Sequence, residues 1–321
     1  MTRYSLGWKR QAPDPRDHVY LVRPTVTAAL PASVDLSPGM GELLDQGDLG
    51  SCGPNTADEC IEFDEKAQSL PLTSASRLYV YWNTRYVMGE GEGNPSKYLN
   101  EDSGVDNRSM LKALSKYGFV KESLWPYDTS KFKTQPPQSV YDQAQVINSY
   151  AAVANDLAQM KGCLATGRPF VFGFDCFEQI MSDQCAKTGI IADPAGQLAG
   201  GHDVTICGYD DAGFGKIPGG AFKIRNHWAG WGDPLGYGYI SYAYATGSHA
   251  SDFWVINAIP TDVNPQPIPQ PSPTPGPRPS PCRPGIRAVV AAFRAGRDEF
   301  QKAGGGGFID WLNQYCGNVV V

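Results

Sequence analysis

The 321-residue sequence predicts an α+β fold, with a helical first half, a β-rich second half and a cleft between them. Three observations carry this. From Leu30-Pro31 to about Pro137 apolar residues recur mainly at helical spacing; beyond Pro137 short β-branched and aromatic runs are bounded by Gly, Pro and Asp. The residues with reactive side chains are also split: a cysteine, Cys52, stands in the first half, and His202 and Asn226 follow in the second. Groups so divided meet only at a junction of the halves.

Residues 1–30 read as a polar, proline-punctuated lead-in, with Pro13-Asp14-Pro15-Arg16-Asp17 forming a turn. They lack the apolar stretch of a signal peptide, and no stretch of the chain reaches transmembrane length. The expectation is a soluble product made in the cytoplasm, exported, if at all, by another route or carried in a larger particle. Gly53-Pro54 puts proline where a first helical turn tolerates it, and Ala57, Cys60, Ile61 and Phe63 give the helix after Cys52 an apolar face. A second helix is predicted over Ser74 to Val87. A third is capped by Asp106, striped by Met110, Leu111 and Leu114 and stopped by Gly118.

In the second half one helix is expected around Asn155 to Thr166. Strands are expected at Pro169–Phe174, Val204–Cys207, Ala221–Ile224, Tyr237–Ile240 and Asp252–Ile256, forming an antiparallel sheet or barrel. From Pro260 to Pro284 there are eleven prolines in 25 residues, a polyproline II spacer. The following 285–321 form a small helical tail, too short to bury much core, that is expected to dock onto this chain or another protein.

Composition excludes several functions. A formal charge of −6 argues against a nucleic-acid surface. The eight cysteines contain no CxxC pair, so neither a zinc ribbon nor a thioredoxin site is expected, and Gly304–Gly307 lack the Lys-Ser/Thr of a phosphate loop. No metal or cofactor is called for. Most cysteines are expected to be reduced and buried, although Cys176 with Cys185 and Cys282 with Cys316 are conceivable pairs.

The run Asp45-Gln46-Gly47-Asp48-Leu49-Gly50-Ser51-Cys52 is the most informative in the chain. A cysteine without context is usually a small buried hydrophobe. At a helix N-terminus, with an imidazolium nearby, it becomes a nucleophilic thiolate instead. Gln46 offers an amide donor to an oxyanion and the Cys52 N–H a second, each worth on the order of 3 kcal/mol to the transition state. His202 would be the acid/base group, just ahead of a strand, with Asn226 fixing its tautomer and Trp228 shielding their bond. His227 is given a structural role, and His18 and His249 have no supporting neighbours.

These motifs, with Glu122-Ser123-Leu124-Trp125-Pro126-Tyr127, Gly201-His202 through Asp211 and Arg225-Asn226-His227-Trp228 through Gly232, resemble a papain-family cysteine peptidase over residues 31 to about 259. The resemblance implies a helical left domain (about 31–137) and an antiparallel β-barrel right domain (about 138–259). It further implies Cys52 as nucleophile, His202 as general acid/base, Asn226 as orienting residue and Gln46 in the oxyanion hole. Gly104 resembles the glycine whose backbone binds an extended peptide, and Gly201, Asp203 and Trp228 would line the substrate site. The chain departs from the pattern at Gly53 where an aromatic is usual, at Asp203 where a small apolar residue is usual, and at His227 where serine is common. Asp203 would tune the pocket or disfavour acidic side chains. The long helical propeptide of many relatives is missing; residues 1–30 could lie across the cleft as a strap. The expected activity is endopeptidase action on peptides or proteins. The alternatives are acyl transfer to an amine or peptide ligation by the same triad, and an assembly-anchored protein in which the peptidase fold is a module.

Overall fold

The computed structural model describes residues 4–258. The proline-rich linker at 260–284, the tail at 285–321 and the pair Cys282/Cys316 lie outside the described residues.

Helix α1 (Cys52–Ala67) runs through the centre of the molecule, with Pro54 in its first turn. The sequence offers it one apolar face, yet every residue from Cys52 to Glu65 is buried. Its carboxylates reach donors on the surrounding elements. Glu59 accepts from Thr205 at 2.6 Å, Asp58 from the Ala75 N–H at 2.6 Å, and Asp64 from Arg168 at 2.6 Å and the Ala258 N–H at 2.8 Å. A buried carboxylate is tolerated only when so bonded, and these bonds tie the helix to both halves.

Helix α2 spans Arg77–Gly91, three residues later than the expected start at Ser74. Ser74 donates its hydroxyl to Glu62 at 2.5 Å and Ala75 pairs with Lys121, so the first residue free to cap is Ser76, which accepts from the Tyr79 N–H at 3.2 Å. Helix α3 (Asn107–Lys116) is capped by Asp106, which accepts from the Ser109 N–H at 2.7 Å; the chain then turns at Gly118, where φ is +75°. Both features match the sequence reading. Helix α4 (Leu157–Ala165) is capped by Asp156.

Among the described residues nine strands form one sheet: β1 (Val19–Tyr20), β2 (Ser33–Asp35), β3 (Ser149–Val153), β4 (Phe170–Phe177), β5 (Ile190–Ile191), β6 (Leu198–Asp210), β7 (Ala221–Arg225), β8 (Tyr237–Ser241) and β9 (Ala250–Asn257). Their order is β1-β3-β9-β4-β6-β7-β8-β5, with β2 on β6. Most pairs are antiparallel, as expected, but β1/β3 and β5/β8 are parallel. Strand β6 is far longer than the expected Val204–Cys207. It pairs with β4 from Ile206↔Phe170 to Gly200↔Cys176, so His202 lies within a strand instead of ahead of one.

Phe172, Phe174, Val204, Ile206 and Phe222 pack inside the β half. Met110, Leu111, Leu114, Tyr79 and Phe119 fill the helical half, joined by Val171 and Trp254 from the sheet. Those two sheet residues form the seam between halves.

The N-terminal segment crosses that seam. The N–H groups of Gly7 and Trp8 both donate to the Gly201 carbonyl at 3.0 Å on the β side; the Val105 N–H donates to Gly7 at 2.7 Å and the Lys9 N–H to Val105 at 2.8 Å on the helical side. Arg108 pairs with Asp17 at 2.7 Å and Arg10 with Asp175 at 3.1 Å, fixing the segment further along. Residues 13–17 form the expected turn region, with the Asp17 N–H donating to Asp14. Cys52, Cys60, Cys163, Cys176, Cys185 and Cys207 are all free and buried, so Cys176 and Cys185 are not bridged.

Candidate active site

Cys52 is the first residue of α1, so its own N–H has no acceptor one turn back and faces the cleft end of the helix. A Cβ on Gly53, the next residue of α1, would lie 3.3 Å from Asp203 Oδ2 of β6, and Gly7 of the strap packs on Gly50 just ahead of the helix. The start of α1, strand β6 and the N-terminal strap therefore meet at one point.

His202 is buried in β6 beside that point. Its Nε2–H donates to Asn226 Oδ1 at 2.8 Å, which leaves Nδ1 as a lone-pair acceptor with no hydrogen-bond partner. Asn226 follows directly on β7, and its Oδ1 also accepts from the His227 N–H at 2.8 Å, fixing the amide's orientation. Trp228 stacks on His202 with ring centres 4.2 Å apart and planes 19° apart, covering the His202–Asn226 bond as expected.

Gln46 is buried in the loop before α1 and donates from Nε2 to Leu49 O at 2.9 Å and to Ser5 O at 3.2 Å. The Trp228 indole N–H donates to the same Ser5 carbonyl at 3.2 Å, and Tyr4 stacks on Trp228 at 4.5 Å. One carbonyl of the strap thus takes two donors at the cleft.

Burial pushes the Cys52 thiol well above its ordinary value, with the Asp203 charge acting in the same direction. Burial also lowers His202 to about 3; the neighbouring His227 adds to this, and the bond to Asn226 opposes it. Beneath the strap both groups are neutral. The thiolate–imidazolium pair expected from sequence is disfavoured while the cleft is covered, because both charges would stand in a site without water.

His202, Asn226 and Gln46 are linked through Trp228 and the Ser5 carbonyl, and Cys52 starts the helix whose Gly53 lies against Asp203, next to His202. Of the expected substrate-site residues, Gly201 offers its carbonyl to the strap. Gly104 has φ +67°, and a Cβ there would lie 2.2 Å from Gly7 O. Its own N–H, however, donates to the Tyr81 hydroxyl at 3.1 Å, so the backbone pairing expected of Gly104 is made by Val105. Asp203 is fully buried on the strand face shared with Gly173 and Gly201 and accepts from Asn107 at 2.8 Å. His249 does have a neighbour, contrary to expectation: its Nδ1 lies 3.1 Å from Asp175.

No family model matches the chain. It is 33% identical over 248 residues to an uncharacterized peptidase C1-like protein of Acanthamoeba polyphaga mimivirus, covering 70% of this chain and 75% of that one. It is also 33% identical to xylellain, a cysteine protease from Xylella fastidiosa, with a TM-score of 0.70 over 80% of this chain and 97% of that one. The chain belongs to the papain family of cysteine peptidases. A procathepsin B of Trypanosoma congolense, 16% identical with a TM-score of 0.60 over 80% of this chain and 87% of that one, shares the fold.

Within this papain-family peptidase several supporting residues escaped sequence reasoning. Tyr127 donates to Gln46 O at 2.9 Å and bonds Ser51, while Arg77 stacks on Tyr127 at 3.9 Å and pairs with Glu122 at 2.8 Å. The segment Glu122–Tyr127 is a recognisable motif because it props the Gln46 loop. Behind Asn226, Glu59 of α1 lies 3.4 Å from His227 Nε2 and 3.8 Å from Arg225, all buried. The available signal was a glutamate two helical turns from Cys52 and a histidine where serine is common; nothing in the sequence pairs them. Among the described residues no helix is long and apolar enough to cross a membrane.

Proposed function

We propose that Cys52, His202, Asn226 and Gln46 carry out the peptidase chemistry, as an endopeptidase on peptide or protein substrates. The supporting observation is the His202 ring, held at Nε2 by Asn226 and left open at Nδ1, on the strand whose Asp203 lies against Gly53, the residue after Cys52. When solvent and substrate replace the strap, Cys52 gives its proton to His202 Nδ1 and the sulfur attacks the substrate carbonyl carbon. The oxygen that becomes negative takes hydrogen bonds from Gln46 Nε2 and the Cys52 N–H. His202 then protonates the departing amine, leaving a thioester that water, deprotonated by the same ring, hydrolyses. Asn226 holds the ring in the tautomer both transfers need.

The N-terminal strap is, in this reading, an intramolecular inhibitor. Ser5 O occupies Gln46 Nε2, Tyr4 covers Trp228, and Gly7 packs on Gly50 two residues before Cys52. Residues 31–258 then act as the peptidase domain. Docking of the segment 285–321 onto another protein remains a separate proposal, supported only by its composition and checked by pull-down with that segment.

Labelling with a thiol-directed epoxide, followed by mass spectrometry of the adduct, tests the assignment in a chain whose strap is loosened by Gly7→Ala. Modification at Cys52, lost in Cys52→Ala, is expected. Modification at another cysteine, or none, would overturn it.

A further inference from the structure

The cleft already holds a polypeptide, so the strap reports what the cleft walls accept. Its described part, residues 4–23, carries Lys9, Arg10, Arg16 and Arg23 against Asp14 and Asp17, in a chain of net charge −6. The walls it meets are acidic. Arg10 bonds Asp175 at 3.1 Å, the Gln11 N–H donates to Asp252 at 3.1 Å, and Lys9 sits 4.5 Å over Tyr98, whose hydroxyl donates to Glu92 at 2.6 Å.

Trp8 fills a pocket in the β-side wall. Its indole lies directly on the backbone of Gly173 and Gly201: an added Cβ would come within 2.3 Å of Nε1 at Gly173 and 2.7 Å of Cε3 at Gly201. Gly173 pairs with Asp203 across β4/β6 and with Ser251 across β4/β9. Directly opposed residues face the same way about 5 Å apart, so both side chains belong to the seat of the indole.

That seat is filled but not satisfied. Trp8 Nε1, Asp203 Oδ2 and Ser251 Oγ are all buried without a hydrogen-bond partner. Each such group carries a desolvation cost that nothing offsets. Burial, Asp252 and Asp106 all push the Asp203 carboxyl upward, against its bond from Asn107. Arg108 is committed to Asp17. A cavity of about 570 Å³ lies between the strap and β3/β9, lined in part by Ser251 and Asp252.

The side of the scissile bond follows from the chemistry. His202 must protonate the leaving amine, which places the leaving chain toward Trp228, where Tyr4 and Ser5 now lie. Trp8 lies on the other side of Gly7, which packs on Gly50 two residues before Cys52, and so marks the acyl side.

We propose that the Trp8 pocket selects an arginine or lysine on the acyl side of the scissile bond, with Asp203 as the specificity-determining residue and Asp252 and Ser251 assisting. The aliphatic stem of such a residue lies over Gly173 and Gly201, and its cationic head supplies the donors that Asp203 and Ser251 lack. Trp8 occupies the pocket by shape alone, which suits a plug that has to leave. This rests on the peptidase reading above for what is cleaved, but the pocket's preference can be measured without cleavage.

Full-length Trp8→Arg, Trp8→Leu and Trp8→Glu chains are compared by hydrogen exchange at the strap amides of residues 7–9. Trp8→Arg is expected to exchange roughly tenfold more slowly than Trp8→Leu, and Trp8→Glu fastest. Asp203→Asn should close the gap between Arg and Leu. Asp252→Asn should narrow it, and serves if Asp203→Asn does not fold. Leucine holding the strap as well as arginine, or a gap indifferent to both aspartates, overturns the proposal. The Trp8→Glu chain is then given a randomised peptide library. Enrichment of Arg or Lys at one acyl-side position supports the assignment, and enrichment of aliphatic residues there overturns it. No cleavage together with no Cys52 labelling refutes the peptidase reading instead, while the exchange order still judges the pocket.

Discussion

Gly7 of the strap stands so close to Gly50 of the loop before Cys52 that a Cβ on Gly7 would lie 2.0 Å from the Gly50 carbonyl oxygen. The contact is backbone on backbone, so no rotamer change relieves it. Gly7→Ala should therefore unseat the strap while leaving every residue of the cleft in place. The rate of Cys52 alkylation by the epoxide is expected to rise at least about tenfold, equivalent to roughly 1.4 kcal/mol of lost seating. An unchanged rate would mean that the strap does not limit access.

In that opened background Asn226→Ala removes the acceptor for His202 Nε2–H. A hydrogen bond of this kind contributes about 0.5–1.5 kcal/mol net, so kcat/KM should fall about tenfold. Trp228→Phe keeps a ring over His202 but loses the indole N–H, and is expected to cost less. Peptide hydrolysis assays on both variants check the order.

The buried imidazole gives the full-length chain an acid sensitivity of definite sign. His202 titrates at about 3 in the folded chain and near 6.5 when unfolded. Between those values the unfolded state binds more protons, so stability from this group is fully present above about pH 6.5 and lost as pH falls toward 3, by up to about 1.4 kcal/mol per pH unit. Denaturant midpoints of wild type and His202→Gln, compared from pH 7 to 4.5, should diverge with a smaller acid loss in the variant. Parallel curves would show that His202 protonates freely.

Glu59 joins α1 to the strand ends that carry His202 and Asn226, through Thr205 at 2.6 Å and His227 at 3.4 Å. Glu59→Ala leaves His227 and Arg225 buried beside a void, and should destabilise the chain by about 3 kcal/mol or more. A double-mutant cycle with His227→Ser, read by urea unfolding, is expected to show strong non-additivity. Additive losses would dissolve the pair as a unit.

Much of this protein was legible because its chemistry is local in sequence. Gln46 and Cys52 are placed by one loop and one helix start, Asp106 caps its helix three residues ahead of the N–H it receives, and Gly118 ends it. Short-range hydrogen bonding and backbone conformation decide such features, and the residues that satisfy them are few. The start of α2 was misplaced because Ser74 and Ser76 are equivalent as caps until Glu62, an element away, takes the Ser74 hydroxyl. Strand β6 was read too short for a similar reason: glycines weaken the local signal at 200–201, and the pairing with β4 restores it.

By itself, then, the sequence determined the α+β division, the reactive residue types and their order along the chain. Only the tertiary structure decided that the carboxylates of α1 are buried clamps, that residues 7–9 bridge Gly201 and Val105, and that Asp203 is buried with an oxygen unpaired. Each of these depends on which distant donor comes within about 3 Å of a given acceptor. Such proximity is set by how the two halves pack, and no periodicity or spacing in the chain records it.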